Sequence, residues 1–176
     1  MSKYTIISST NRSSANSYKI SEIYKSLLAD SGVEASIIDL EKLPKDFVFT
    51  ALYDNAAKHE VFNHFLNQMN ECDKLIFVVP EYNGSFPGVL KAFIDGLDYP
   101  YSFKHKKAAL VGHSAGTQGS ALALSHLTDI LNYLGTHVFA LKPRMLNIDE
   151  HLSADGTLSK NYITLLKEQV EGFVSF

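Results

Sequence analysis

The sequence predicts a doubly wound α/β fold in which helices cover both faces of one parallel sheet. Short apolar runs rich in β-branched residues alternate along the chain with longer segments of helical period. Such alternation is typical of parallel strands that are joined by crossover helices. The chain has 176 residues, of which 45% are hydrophobic and 20% are charged, so it has room for one full core. We therefore expect a single domain over residues 1–176.

Five segments have the composition of buried strands. Each is short, mainly apolar and bounded by polar or turn-forming residues. The predicted strands are 4–8 (YTIIS), 34–40 (EASIIDL), 74–80 (KLIFVVP), 107–113 (KAALVGH) and 136–141 (THVFAL).

Apolar residues recur at helical spacing between and after these strands. The first stripe predicts a helix that ends near Asp30-Ser31-Gly32, and similar stripes predict helices at about 61–69, 87–97, 120–134 and 159–174. Of the two common doubly wound strand orders, the flavodoxin-like order 2-1-3-4-5 suits five strands. We therefore expect a flavodoxin-like three-layer sandwich, with its ligand at the carboxyl ends of the strands.

Composition excludes several classes of function. The formal net charge is -3 and the chain has no sustained run of lysine and arginine, so we expect neither nucleic acid nor a membrane as a partner. The single cysteine, Cys72, cannot form an internal disulfide or hold an iron–sulfur cluster, and the seven histidines show no metal-binding spacing. The sequence has no leader pattern and no membrane-length apolar run, which makes a cytoplasmic location the default expectation.

The loop after the first strand has the composition of a phosphate site. Apart from Ala15, residues 8–17 (SSTNRSSANS) carry hydroxyl and amide side chains around Arg12, and they lead into a helix whose free N–H groups and dipole favour an anion. The segment contains no glycine, which argues against a dinucleotide fingerprint or a P-loop. A single terminal phosphate fits this loop best, and an ordinary polar N-cap is the alternative.

The segment after the third strand carries a more specific pattern. Pro80-Glu81-Tyr82-Asn83-Gly84-Ser85 is followed by Pro87-Gly88, Leu90-Lys91 and Ile94-Asp95. This pattern resembles the flavin-contacting segment of the NAD(P)H-dependent FMN reductase family, which includes quinone, azo-dye and chromate reductases. The resemblance extends over nearly the whole chain, although Ser9, Thr10 and Ala15 replace residues common in the family.

The resemblance implies that FMN is the cofactor and that three loops hold it. The loop after the first strand would bind the phosphate through Thr10, Arg12, Asn16 and Ser17. The turn after the third strand would contact the isoalloxazine ring through Pro80, Glu81, Tyr82, Asn83 and Gly84. The loop after the fourth strand would lie beside the pyrimidine edge through Ser114, Ala115, Gly116 and Thr117.

The resemblance also implies an activity. NADPH or NADH would deliver hydride to flavin N5, leave, and be replaced by a quinone, azo compound, free flavin or metal oxyanion in ping-pong fashion. No side chain need be a catalyst, because the cofactor carries the redox chemistry. The helix after the flavin turn and residues 51–60 would help to form a homodimer, or dimers that pair into a homotetramer.

Two other classes of function compete with this interpretation. Gly112-His113-Ser114-Ala115-Gly116 has the G-x-S-x-G pattern of a serine hydrolase, but the next residues are poor helix formers, whereas a nucleophile elbow needs a helix at once. A flavodoxin-type electron carrier would also bind FMN. Such carriers are usually strongly acidic, whereas this chain is mildly acidic and has Arg12 in the phosphate loop.

Overall fold

Six parallel strands form the centre of the molecule in the computed structural model, which describes residues 2–176. The strand order β2-β1-β3-β4-β5 confirms the predicted order 2-1-3-4-5, and the sixth strand pairs with β4. The strands are β1 (Tyr4–Ser8), β2 (Ala35–Asp39), β3 (Lys74–Pro80), β4 (Lys107–His113), β5 (His137–Val138) and β6 (Arg144–Met145).

The fifth position of the sheet differs from the prediction of one strand over residues 136–141. β5 pairs with the start of β4, and β6 pairs with Gly112 and His113 at its end. Pro143 lies between them and has no N–H to donate to a ladder. The buried Gln169 side chain donates its Nε2 hydrogens to Leu110 O at 3.0 Å and to Leu141 O at 2.7 Å. A side chain thus replaces ladder hydrogen bonds where the strand is interrupted.

Helices cover both faces of the sheet, as the sequence predicts. The five long helices lie within a few residues of their predicted bounds, and two helices of four residues are additional because they are too short to show a helical stripe. The helices are α1 (Asn16–Asp30), α2 (Phe47–Thr50), α3 (Glu60–Glu71), α4 (Gly88–Asp95), α5 (Ala121–Tyr133), α6 (Ile148–His151) and α7 (Lys160–Ser175). Within residues 2–176, none of the helices combines the length and the hydropathy that a membrane span requires.

The core consists of two apolar clusters, one on each face of the sheet. In β3, Leu75, Phe77 and Val79 pack with α2 to α5, whereas Ile76 and Val78 pack with α1, α6 and α7. Alternate residues of a strand point to opposite faces, so a strand that is apolar throughout is buried on both sides. The result is the expected three-layer sandwich.

Close packing of backbone at the end of β4 sets the position of α5. A Cβ atom added to Gly112 would lie 2.7 Å from Gly119 O, 2.8 Å from Ser120 Cβ and 2.9 Å from Leu124 Cδ1. Ser120 Oγ lies 2.9 Å from Val79 O and 2.8 Å from His113 O, which joins the start of α5 to the ends of β3 and β4. Only glycine at position 112 permits this approach.

Replacing Gly112 with alanine is therefore expected to destabilise the fold. The added methyl group must displace backbone at Gly119, and overpacking of this kind typically costs about 1–3 kcal/mol. Urea denaturation measures the free energy of unfolding. Gly88→Ala is the matched control, because nothing lies within 4 Å of a Cβ at that helical position. Equal denaturation midpoints for Gly112→Ala and wild type would contradict the packing argument.

Candidate cofactor-binding site

A cleft of about 410 Å³ lies at the carboxyl edge of the sheet. Its walls come from the loop after β1, the end of β3, the end of β4 and the start of α6. Of the predicted site residues, the cleft is lined by Thr10, Arg12, Asn16, Ser17, Pro80, Glu81, Tyr82, Ser114 and Ala115. Asn83, Gly84, Gly116 and Thr117 belong to the same loops and flank the cleft without lining it.

A larger cavity of about 870 Å³ lies at the opposite edge, near the amino ends of β1 and β2. Volume alone would favour this cavity as the site. Ligands of doubly wound sheets bind at the carboxyl edge, where loops with chemically specific side chains meet. The smaller cleft is the candidate site for that reason.

One end of the cleft is suited to a phosphate. Within residues 2–176 no side chain caps the start of α1, because its N-cap is Ala15. The first N–H groups of a helix have no partner inside the helix, so they remain available to an anion. Arg12 is exposed and is the one lysine or arginine that lines the cleft in this part of the chain. The buried hydroxyl groups of Thr10 and Ser17 complete the donor set.

His113 contributes to this end of the cleft in a way that the sequence does not reveal. Its side chain is 5% exposed, and its Nε2 atom lies 2.8 Å from Ser17 Oγ. Burial lowers the pKa of His113 to about 4, and the negative charge of Asp149 opposes this shift in part. The imidazole is therefore neutral at neutral pH. The predicted position of His113 at a strand end is confirmed, and its partner Ser17 lies on α1, 96 residues earlier in the chain.

Asp149 also lines the cleft, a position that the sequence does not predict. It lies on the four-residue α6, and its Oδ1 atom accepts a hydrogen bond of 3.0 Å from Asn16 Nδ2. The structure thus places the Asp149 carboxylate beside the start of α1. No signal in the sequence locates α6, because its position follows from the unpredicted strand β6.

The turn after β3 is a two-residue hairpin. Tyr82 N donates to Ser85 O at 2.8 Å and Ser85 N donates to Tyr82 O at 3.0 Å. The two central residues have φ angles of 52° at Asn83 and 73° at Gly84. Positive φ at both positions is typical of a type I′ turn, for which Asn-Gly is a preferred pair. The sequence therefore determines a rigid turn at this wall of the cleft.

Hydrogen bonds hold this turn against its neighbours. Glu81 N donates to His113 O at 3.1 Å, and Glu81 Oε2 accepts a 3.0 Å bond from Ser120 N just before α5. Tyr82 Oη lies 2.8 Å from Thr10 Oγ1, which ties the turn to the phosphate end of the cleft. The two ends of the cleft thus form one hydrogen-bonded unit.

Ser114 does not have the surroundings of a nucleophile. Its hydroxyl donates to Gly116 O at 2.8 Å and accepts from Gly119 N at 2.8 Å. Both partners are backbone atoms of its own loop, and α5 begins only at Ala121. A nucleophile elbow requires an exposed hydroxyl on a sharp strand-to-helix turn. The geometry therefore argues against the serine hydrolase.

The chemistry of the cleft fits an FMN. Uncapped helix N–H groups, hydroxyls and an arginine suit its phosphate, and the turn at residues 81–84 with the loop at 114–117 offers backbone to a planar ring. A Cβ at Gly84 or Gly116 would meet nothing within 4 Å, so there is open space beside both loops. Among residues 2–176, no group of three or more histidine, cysteine, aspartate or glutamate side chains could hold a metal ion.

Solved structures with the same architecture include a flavoenzyme. The NAD(P)H:(acceptor) oxidoreductase FerB from Paracoccus denitrificans superposes with a TM-score of 0.79 at 26% identity, over 99% of this chain and 96% of that chain. A flavodoxin from the domain Archaea superposes with a TM-score of 0.66 at 13% identity, over 99% of this chain and 97% of that chain. The second likeness shows the flavodoxin-like fold alone.

Sequence relatives include two reductases. A 2-hydroxy-1,4-benzoquinone reductase from Burkholderia sp. is 33% identical over 135 residues, which cover 74% of this chain and 72% of that enzyme. An FMN-dependent NADPH-azoreductase from Staphylococcus aureus is 35% identical over 105 residues, which cover 58% of this chain and 54% of that enzyme. The chain therefore matches little more than half of the azoreductase.

A family model extends the match over the greater part of the chain. The model described as NADPH-dependent FMN reductase matches residues 2–147. These residues include all thirteen predicted site positions, from Thr10 to Thr117. The chain therefore belongs to the NADPH-dependent FMN reductase family, whose members are FMN-dependent oxidoreductases.

Proposed function

We propose that this protein is an FMN-dependent NAD(P)H oxidoreductase that reduces quinones, azo compounds, free flavin or similar small acceptors. The observation that carries the proposal is the geometry of the cleft. The start of α1 has no side-chain cap, and the contact between Thr10 and Tyr82 links this phosphate end to the Asn-Gly turn. Bound FMN would accept a hydride from NAD(P)H and deliver the electrons to the acceptor. The protein binds, orients and shields the cofactor.

The phosphate end would bind by charge and by hydrogen bonds. The first N–H groups of α1 and the hydroxyls of Thr10 and Ser17 donate to phosphate oxygens, and Arg12 adds a charged fork. Asp149 places a negative charge in the same cleft, which opposes an anion. Asn16 donates to that carboxylate and so occupies one of its oxygens. Arg12 is therefore expected to contribute to phosphate affinity, because it is the one lysine or arginine that lines the cleft within residues 2–176.

The ring end would hold the isoalloxazine against backbone. The turn at Tyr82, Asn83 and Gly84 is rigid because its φ angles suit these residues, and Glu81 anchors it to the start of α5. The loop at residues 114–117 is ordered by the hydroxyl of Ser114. Neither loop needs to supply an acid or a base, because the redox chemistry belongs to the cofactor.

Two features favour a reductase over a flavodoxin-type electron carrier. The chain belongs to the reductase family, and the archaeal flavodoxin shares its fold at 13% identity only. The relatives named as quinone reductase and azoreductase support a small organic acceptor. Either NADPH or NADH serves as the donor in this proposal. The cytoplasmic location stays a prediction of the sequence.

A homodimer is part of the proposal, and two such dimers would form a homotetramer. Tyr53, which is 80% exposed, lies within the predicted interface segment 51–60, and Phe49, which is 83% exposed, lies two residues before it. Large apolar side chains clustered on a surface indicate a contact with another protein. A second subunit seated there would help to enclose the flavin ring.

The function is tested together with the role of Ser114. FMN-loaded wild-type protein is expected to bleach when NADPH or NADH is added without oxygen, to reduce a quinone at steady state and to leave p-nitrophenyl esters intact. Ser114→Ala loses two loop hydrogen bonds, which corresponds to about a tenfold loss of quinone reductase activity. Esterase turnover in wild type that the substitution abolishes would refute the oxidoreductase and support the hydrolase.

Arg12→Ala is expected to weaken FMN binding by about 1.5–3 kcal/mol, the range for hydrogen bonds to charged groups. Fluorescence titration of the apoprotein with FMN measures the loss. Lys19→Ala is the matched control, because Lys19 is a cation in the first turns of α1, close in the chain to Arg12, and it donates to Ala154 O outside the cleft. If Arg12→Ala and wild type bind FMN equally, the phosphate does not lie at the start of α1.

The dimer is tested by the double substitution Phe49→Ser and Tyr53→Ser. Loss of two exposed aromatic side chains removes apolar contact area, so we expect a dimeric wild type and a monomeric variant at micromolar concentration in sedimentation velocity. Tyr18→Ser on α1, at the other face of the sheet, serves as the control and should remain dimeric. A monomeric wild type would contradict the proposal.

A further inference from the structure

The last residue of β4 places an imidazole against the phosphate end of the cleft. His113 Nε2 lies 2.8 Å from Ser17 Oγ, and both residues line the cleft and are buried. Ser17 lies in the first turn of α1, and Ser21 Oγ donates to its carbonyl oxygen at 2.8 Å. The position of the Ser17 hydroxyl is therefore determined by its own helix and by His113.

The position of the hydrogen between His113 Nε2 and Ser17 Oγ determines whether Ser17 can donate a hydrogen bond to a ligand. A serine hydroxyl has one hydrogen to donate, and a neutral imidazole has one donor nitrogen and one acceptor nitrogen. If Nε2 is the acceptor, Ser17 donates its hydrogen to His113 and has none for a ligand. If Nε2 carries the hydrogen, His113 donates to Ser17 Oγ and the Ser17 hydrogen is free to point into the cleft.

Burial restricts His113 to its neutral forms. It lowers the pKa of His113 to about 4, although the carboxylate of Asp149 on α6 acts in the opposite direction. The other charged groups that line the cleft are Arg12 after β1 and Glu81 after β3. At neutral pH the choice is therefore between two tautomers and not between a neutral and a charged ring.

We infer that His113 is a positioning residue that donates from Nε2 to Ser17 Oγ and thereby keeps the Ser17 hydrogen available for a phosphate oxygen of the cofactor. This inference rests on the proposed function, because it requires FMN with its phosphate at the start of α1. A phosphate dianion offers acceptors and no donor, so it selects the tautomer in which Ser17 donates into the cleft.

Thr10 has a similar arrangement at the same end of the cleft. Its Oγ1 atom accepts a 3.2 Å bond from Arg12 N and lies 2.8 Å from Tyr82 Oη. The two buried hydroxyls that line this end of the cleft each contact a second side chain, Thr10 that of Tyr82 and Ser17 that of His113. Because these hydroxyls are already oriented before binding, less free energy is lost in ordering them when an anion binds.

The inference separates FMN from riboflavin, which has the same ring and no phosphate. Loss of His113 should weaken FMN binding and leave riboflavin binding unchanged. A role in folding alone would weaken both, because the whole cleft would be disturbed. The comparison of the two ligands therefore distinguishes a phosphate-orienting residue from a structural one.

The test uses two substitutions of His113 in the full chain. His113→Phe keeps a ring of similar size and removes the donor, whereas His113→Gln places an amide N–H near the position of Nε2. Flavin fluorescence titrations of the apoproteins should give an FMN affinity about tenfold or more lower for His113→Phe, with riboflavin affinity within about twofold of wild type. His113→Gln should bind FMN within about threefold of wild type.

A double substitution tests whether His113 acts through Ser17. Ser17→Ala combined with His113→Phe should bind FMN no more weakly than Ser17→Ala alone, because the hydroxyl that His113 orients is already absent. An additive loss would overturn the inference. So would equal losses for FMN and riboflavin in His113→Phe, or a loss in His113→Gln as large as that in His113→Phe.

Nitrogen NMR of wild-type protein tests the tautomer without a substitution that could impair folding. In the FMN complex His113 should carry its hydrogen on Nε2, and a hydrogen on Nδ1 would overturn the inference. Failure of the proposed function would give results that differ from failure of this inference. In that case wild type would bind FMN no better than riboflavin and Arg12→Ala would have no effect, whatever the state of His113.

Discussion

The parallel pairing of β1, β3 and β4 is the constraint on which the cleft depends. Ser8 lies opposite Val78 and Pro80 opposite His113, so the three strands end at one edge of the sheet. The pairing continues into the loops, where Ser9 N donates to Val78 O and Glu81 N donates to His113 O, each at 3.1 Å. Loops from distant parts of the chain are thereby brought together.

Close backbone packing next to that edge makes the cleft rigid. The absence of a side chain at Gly112 lets residues 119–120 approach β4, and the Glu81 carboxylate accepts a bond from Ser120 N at the start of α5. A negative group at a helix N-terminus is electrostatically favourable. The turn with Asn83 and Gly84 is consequently anchored to the sheet and to α5, and the ring end of the proposed site needs no large rearrangement.

Charge in the cleft is balanced rather than uniformly positive. Arg12 and the start of α1 favour an anion, whereas the carboxylates of Asp149 and Glu81 oppose one, and burial keeps His113 neutral. Anion selection in such a site depends on oriented donors more than on net charge, because buried hydroxyls and helix N–H groups act at short range in a medium of low dielectric constant. This distribution agrees with a mildly acidic protein that belongs to a family of FMN-dependent reductases.

The sequence by itself predicted the alternation of strands and helices, the turn at Asn83-Gly84 and the resemblance at residues 80–95, because apolar periodicity, turn chemistry and residue patterns are local properties. The strand order 2-1-3-4-5 was expected as the common doubly wound order that suits five strands, and the structure confirms it. The sequence also placed His113 at a strand end and the residues from Thr10 to Ser17 in a polar loop. Only the tertiary structure decided that β5 stops at Val138, that α6 brings Asp149 to Asn16, and that His113 meets Ser17. These contacts join residues from 96 to 133 positions apart, and long-range contacts of that kind depend on the register of the sheet and have no local signal.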